Sequence, residues 1–389
     1  MRLRSFGPKL LCAFLLLLLT PALSFAQTEN SAAIDCSGAT PGAFTSVEQA
    51  ILNSPDHTTF TITGNCTENI VDIQHRNDLS FIATAPTTIQ VTSPTQQVLI
   101  ITHSQSITFS GPITITGGQG VLLSDSNGIL ISQVTIQNSG SFGITSNNSQ
   151  VQIFNGSISG NTRTGVVTFG GTVELDGTTI SNNGRLGVSA ATTHVIMQDG
   201  NGLPPVISNN GIAGIQLFNS SQGDFTDLQI TNNAGSNFGL EVFTNSAVVM
   251  QGGVINGNSG IGVNCGSTSH CEFLQTQINS NTAGGIQITT HSELDLDGGV
   301  QISGNGGPGV LIDQASAFAS GGGNTISGNT GDALIVNALS TLNFAAPDTI
   351  TATGNSLALN CNNGSLVTGD ISTYKPKRCG IAFQAVPIH

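Results

Sequence analysis

One motif constrains this chain more than any other feature: an apolar residue, two small polar residues, then asparagine. It occurs at Ile158/Asn161, Ile180/Asn183, Ile207/Asn210, Ile230/Asn233, Ile255/Asn258, Ile278/Asn281, Ile302/Asn305, Ile326/Asn329 and, with alanine leading, Ala352/Asn355. The asparagines are spaced by 22, 27, 23, 25, 23, 24, 24 and 26 residues. A second register runs with the first. Four residues after the asparagine comes glycine and then Val or Ile, as in Gly165-Val166, Gly187-Val188, Gly214-Ile215, Gly262-Val263, Gly285-Ile286 and Gly309-Val310. Gly239-Leu240 arrives two residues late, and Ala333-Leu334 replaces the glycine. Upstream, Ile136 and Gly143-Ile144 keep the frame with Ser139 in the asparagine position.

Between motifs, apolar and polar residues alternate, as in Val173-Glu174-Leu175-Asp176. Alternation marks strands with one buried face. About three such segments fit in each period, which predicts one coil of three strands per repeat. Coils stack as parallel strands roughly 4.8 Å apart. A single coil cannot bury its apolar face, but a stack builds a continuous core. In this frame the asparagine is expected to take the left-handed backbone of a sharp corner. Its amide is expected to bond the equivalent asparagine one coil away, as a ladder. The glycine is expected to let the chain bend into the next strand.

This pattern resembles the right-handed parallel β-helix of the pectate-lyase-like group. The resemblance covers roughly Thr59 to Asn355 and rests on coil length and the asparagine turn. It implies an all-β solenoid of about twelve three-stranded coils. The hexapeptide period of the left-handed helix, the leucine-rich frame and the calcium-binding nonapeptide are absent from the sequence. The expected organisation is a signal peptide at 1–26, an N-terminal cap at 27–58, the β-helix at 59–357 and a C-terminal cap at 358–389. Thr45-Ser46-Val47-Glu48 reads as a capping box opening a short helix through about Asn53. Val47, Ala50 and Ile51 would face the core from it. The C-terminal cap breaks the repeat, holds the single tyrosine, and carries Lys375, Lys377 and Arg378.

Charge and cysteine usage narrow the function classes. Arg2, Arg4 and Lys9, the apolar run Leu10 to Leu19, and Ser24-Phe25-Ala26 read as an export signal. Nothing after Gln27 reads as a membrane span. Removing residues 1–26 takes three of the 9 basic residues and none of the 22 acidic ones, leaving −16. That balance argues against nucleic acid as a partner. It would also repel a polyanion unless cations intervened. The exported chain keeps six cysteines, and an even count outside the cytosol points to disulfides. They fall as sequence-local pairs, so Cys36–Cys66, Cys265–Cys271 and Cys361–Cys379 are expected. A zinc site is the alternative, but paired Cys-x-x-Cys spacing is lacking.

No strong catalytic motif is present. Serine-nucleophile, Walker and H-E-x-x-H strings are absent. The Asn-Thr-Asp, Asp-Asp, Gly-His-Gly and Arg-Ile-Lys motifs carried by hydrolases of the resembling fold are absent too. The lyases on that fold commonly use calcium with an Arg or Lys base. Outside the C-terminal cap the exported chain offers only Arg76, Arg163 and Arg185. The coils are nearly uniform, and the longest inserts only a few residues around Asp199 to Pro205.

Counting along the repeat places His270, Glu272, Glu293, Asp295 and Asp297 on one outer patch across two neighbouring coils. Three readings fit it. It is a solubilising acidic stripe, a calcium site built from Glu272, Glu293, Asp295 and Asp297, or an acid/base pair for sugar cleavage. Calcium is the one cofactor these residues suggest. The sequence reading is therefore an exported, monomeric β-helix with a structural or carbohydrate-interacting surface role. Its partner would be a polysaccharide or cell-surface glycan. A polysaccharide lyase or glycoside hydrolase using the patch, and an adhesin, are the alternatives.

Overall fold

The computed structural model describes residues 30–235, 238–344, 351–369 and 374–379. The expected signal peptide and the end of the C-terminal cap lie outside these residues. The described chain is a parallel β-solenoid. Its clearest thread is a column on one flank: Cys66, Ile89, Ile115, Ile136, Ile158, Ile180, Ile207, Ile230, Ile255, Ile278, Ile302, Ile326 and Ala352 stack in register. That flank is a 13-stranded sheet, so there are about thirteen coils. The asparagine repeat undercounts them because the N-terminal coils keep the apolar column but not the asparagine.

The column forms the third flank of each coil. The first flank follows the asparagine turn, and the second follows a further corner. The first and second flanks merge into one 27-stranded sheet because Ile144–Phe154 and Val166–Asp176 run unbroken around that corner. All three flanks turn alternate side chains inward. Branched aliphatics fill most of the core, and Phe60, Phe81 and Phe109 stack at 4.9 and 4.5 Å near the N-terminal end.

The asparagine ladder runs from Asn161 to Asn355 and ends on Ser139. The Asn183 N–H and Nδ2 both donate to Asn210 Oδ1, and Nδ2 also donates to the Ile158 carbonyl. The same set recurs at Asn210, Asn233, Asn258, Asn281, Asn305 and Asn329. The ladder asparagines themselves do not take the left-handed conformation. The residue just before each one does: Asn182, Asn209, Asn232 and Ser280 at φ 55°, 55°, 54° and 53°, and glycines such as Gly257 at φ 67°. The backbone strain therefore sits one residue earlier than the sequence suggests. The ladder residue is left free to use its amide.

The glycine that recurs four residues after the asparagine also has a different cause from the expected bend. A Cβ on Gly262 would lie 2.7 Å from Asn281 Nδ2, 2.7 Å from the Gly285 carbonyl oxygen and 2.8 Å from Ile278 Cγ2. Its φ is unremarkable, so steric closeness to the next coil, not backbone freedom, selects glycine there.

A second ladder, built on serine, stitches the corner between the first and second flanks. The N–H of each residue donates to the hydroxyl of the next in the series Ser221, Ser246, Ser269, Ser292, Ser316 and Ser340, at 3.1–3.2 Å. Ser104, Ser126 and Ser149 do the same in earlier coils. The series is interrupted at Gly171, which stands opposite Ser149.

The N-terminal end carries the expected short helix, with different details. The helix Val47–Asn53 buries Val47, Ala50 and Ile51. Its N-cap is Ser46, not Thr45. The anion at its first turn is Glu68, whose Oε1 accepts the Val47 N–H at 2.7 Å while Oε2 accepts the Ser46 hydroxyl at 2.6 Å. Arg76 closes the other end, donating to the Ile51 and Ser54 carbonyls and pairing with Asp56 at 2.7 Å. Both segments read as caps also add strands to the solenoid: Asn30–Asp35 at the start, and Leu359–Cys361, Leu366–Thr368 and Lys377–Cys379 at the end. Cys36–Cys66, Cys265–Cys271 and Cys361–Cys379 are disulfide-bonded, as the local pairing predicts.

Candidate functional site

The strand His270–Leu274 pairs in parallel with Glu293–Leu296, which sets His270 opposite Glu293 and Glu272 opposite Asp295. Inward positions are Cys271, Phe273, Leu294 and Leu296, all buried. Strand alternation therefore turns His270, Glu272, Glu293 and Asp295 outward together. The Cys265–Cys271 disulfide crosses the corner just before them. Cys271 lies between His270 and Glu272, so the bridge holds the strand that carries both.

His270 is the hub of the cluster. Its Nε2 lies 3.9 Å from Glu272 Oε2 and 3.8 Å from Asp295 Oδ2, and its Nδ1 lies 3.7 Å from Glu293 Oε2. Partial burial, then the Asp297 charge and a hydrogen bond shared with it, push the Glu272 carboxyl above its ordinary value; His270 opposes the shift. Asp295 is also raised. Burial is the largest cause, His270 opposes it, and the Asp297 and Glu293 charges add to it. Two neighbouring carboxyls that hold protons more tightly than usual can give and take a proton, or yield that repulsion to a cation. As the side chains stand, no three of these groups bring ligand atoms within 4.8 Å of one another. Among the described residues only Cys36, Cys66 and Glu68 do so, and those cysteines are bonded to each other.

Counting along the repeat misses a second histidine–acid pair on the same flank. His194 Nε2 lies 2.6 Å from Asp224 Oδ2. The register joins the two pairs: His194, Gln222, Ala247, His270 and Glu293 form one outer column, and Glu174, Ile196, Asp224, Val249, Glu272 and Asp295 the next. Toward the N-terminus the columns continue into shallow concavities. One, of about 320 Å³, is lined by Leu130, Gln150, Gln152 and Glu174. The other lies around Asp125, Asn127, Asn148 and Thr172.

The remaining charged candidates lie elsewhere. Arg76 is committed to the helix end. Arg163 and Arg185 are exposed on adjacent coils at the asparagine corner, with the Arg163 guanidinium 5.3 Å from the Phe142 ring centroid. The outer margin of the first flank also exposes Phe169, and Phe218 stacks on Phe243 at 5.6 Å. Nothing in the repeat marks these aromatics.

The family model described as "Right handed beta helix region" matches residues 97–201, about a quarter of the chain. Among solved structures, the A-module of mannuronan C-5 epimerase AlgE4 from Azotobacter vinelandii is similar at 14% identity, with 83% of this chain and 95% of that chain covered and a TM-score of 0.51. This chain is a right-handed parallel β-helix. The β-helix also aligns with the AlgE6 A-module of the same organism, at 14% identity over 83% and 94% of the two chains and a TM-score of 0.44. An alginate lyase from Paenibacillus sp. str. FPU-7 aligns at 11% identity over 71% and 94%, with a TM-score of 0.42. No curated protein sequence matches this β-helix. At these identities the likeness speaks for the fold, and function must come from the residues of this chain. Among the described residues, no helix is long and apolar enough to cross a membrane.

Proposed function

We propose that this β-helix is an exported carbohydrate-interacting protein that presents its second flank to a polysaccharide or cell-surface glycan. The observation that carries the reading is the pair of outer columns on that flank. Interrupted only by Ala247, Ile196 and Val249, they align amide, imidazole and carboxylate side chains along successive coils of a rigid sheet. Hydroxyl-rich chains are recognised by such spaced donors and acceptors. The flank is shallow, which suits docking along a polymer better than enclosing a small molecule. The acidic balance of the exported chain favours a neutral glycan, or an acidic one bridged by calcium at Glu272, Glu293, Asp295 and Asp297. An adhesin would use the same surface with a cell-bound partner.

A second reading, a lyase or glycoside hydrolase, is favoured by the raised Glu272 and Asp295 carboxyls. One would protonate a leaving oxygen while the other acts as base. The test is incubation with a panel of neutral and acidic polysaccharides, with and without calcium, scored for retention and for product formation. Retention without product supports docking, product supports the enzyme, and neither result refutes both.

A further inference from the structure

The last outward position of the second-flank strand is exposed or half-buried at Phe154 and Gln198, but Asp176 between them is 3% exposed. The longest coil of the repeat explains the difference. Its inserted residues fold back as a tight turn, with the Gly200 N–H donating to the Leu203 carbonyl at 2.9 Å. The turn lies directly on the coils beneath. A Cβ on Gly200 would come 2.9 Å from the Gly177 Cα and 2.4 Å from Asn155 Oδ1. The loop thus packs on Gly177, next to a buried carboxylate that strand alternation aims at solvent.

This carboxylate is incompletely matched. Asp176 Oδ2 accepts long hydrogen bonds from Gln152 Nε2 at 3.2 Å and Gln198 Nε2 at 3.3 Å. Oδ1 is buried without a partner, and so is Asn155 Oδ1 one coil below. No Lys, Arg or His among the described residues pairs with Asp176. A buried ionised carboxylate served only by neutral amides is costly. A buried water would supply hydrogen bonds and leave the charge. The unmet groups in this corner are both oxygen acceptors, and the deficit is one positive charge.

We propose that the corner beneath the 199–205 loop binds a hard cation, with the Asp176 carboxylate as its anionic ligand. An all-oxygen donor set suits calcium, magnesium or sodium over softer metals. The site lies coils away from His270 and its carboxylates.

The test begins from the full chain carrying Glu272→Gln and Asp295→Asn, which silences the outer patch. This chain is dialysed against millimolar calcium, magnesium or sodium and its bound metal counted. Melting is followed in each salt against choline chloride at equal ionic strength. One bound cation per chain in any arm, with a rise in melting temperature, is expected, and Asp176→Asn should abolish both. No retained cation in any arm overturns the proposal, as does unchanged retention in the Asp176→Asn chain. Should that variant fail to fold, crystals of the unaltered protein soaked in calcium decide: an anomalous peak beside Asp176 Oδ1 supports the site, and water or empty density overturns it.

Discussion

Asn183 Nδ2 and the Asn183 backbone N–H converge on one oxygen, Asn210 Oδ1, at 3.0 and 3.2 Å. The geometry spends one acceptor on two donors and leaves a second Nδ2 hydrogen for the Ile158 carbonyl. Each asparagine is thus tied to the coil above and the coil below. Replacing Asn233 with leucine strands donors of Asn210 and the Ile207 carbonyl inside the turn. We expect a loss on the order of 2–4 kcal/mol by urea denaturation, since each buried orphan costs about 1–3 kcal/mol. An unchanged midpoint would mean the ladder does not hold the coils.

The glycine column should fail for steric reasons. Gly262→Ala drives a methyl group into Asn281 Nδ2 and the Gly285 carbonyl. Overpacking of this kind costs about 1–3 kcal/mol. Since φ is unremarkable at Gly262, a Gly262→Ala chain as stable as wild type would show that the coil spacing relaxes freely.

The serine ladder makes a separable prediction. Ser269→Ala removes the acceptor of the Ser246 N–H at a buried corner. The expected loss is about 1–2 kcal/mol, and Ser269→Thr should recover part of it because the hydroxyl is kept. Equal melting of the alanine and threonine variants would contradict the assignment.

The patch gives a pH signature. Glu272 and Asp295 hold their protons more tightly folded than unfolded. Their contribution favours the fold at pH values below the ordinary carboxylate range and is lost as pH rises through the raised folded values. Glu272→Gln with Asp295→Asn should therefore flatten the fall in melting temperature between roughly pH 4 and 6. It should also raise melting at neutral pH without calcium, and it should lose the part of any calcium response that arises at the patch. A double variant that tracks wild type across this range would leave only a solvated acidic stripe.

The period of the asparagines carried the architecture because every coil must repeat the same corner to keep its strands in register. The outward register of His270, Glu272, Glu293 and Asp295 is legible too, because alternation and register are enough to sort inward from outward residues, whereas Asp297 lies beyond the paired strand. Other features were hidden for identifiable reasons. Ser221, Ser246, Ser269, Ser292, Ser316 and Ser340 each follow the glycine position by seven residues. That was a readable signal, obscured by how common serine is in turns. The Glu68 cap on the helix and the Arg76 clamp join residues some 20 positions apart, which no local motif reveals. Asp176 looks like any outward strand residue until its burial beside the next coil's loop is seen.

Comparing the flanks in one binding measurement tests the central claim. Affinity electrophoresis through gels containing the retained glycan would be run on wild type, on a second-flank variant (His194→Ala with Glu272→Gln and Asp295→Asn), and on a first-flank variant (Gln216→Ala with Glu241→Gln, outward neighbours on strands Ala213–Phe218 and Phe238–Val242 whose side chains bond at 2.7 Å). Docking on the second flank predicts retardation of wild type and of the first-flank variant, with the second-flank variant running at least several-fold less retarded. Equal retardation of all three, or loss only in the first-flank variant, would contradict it.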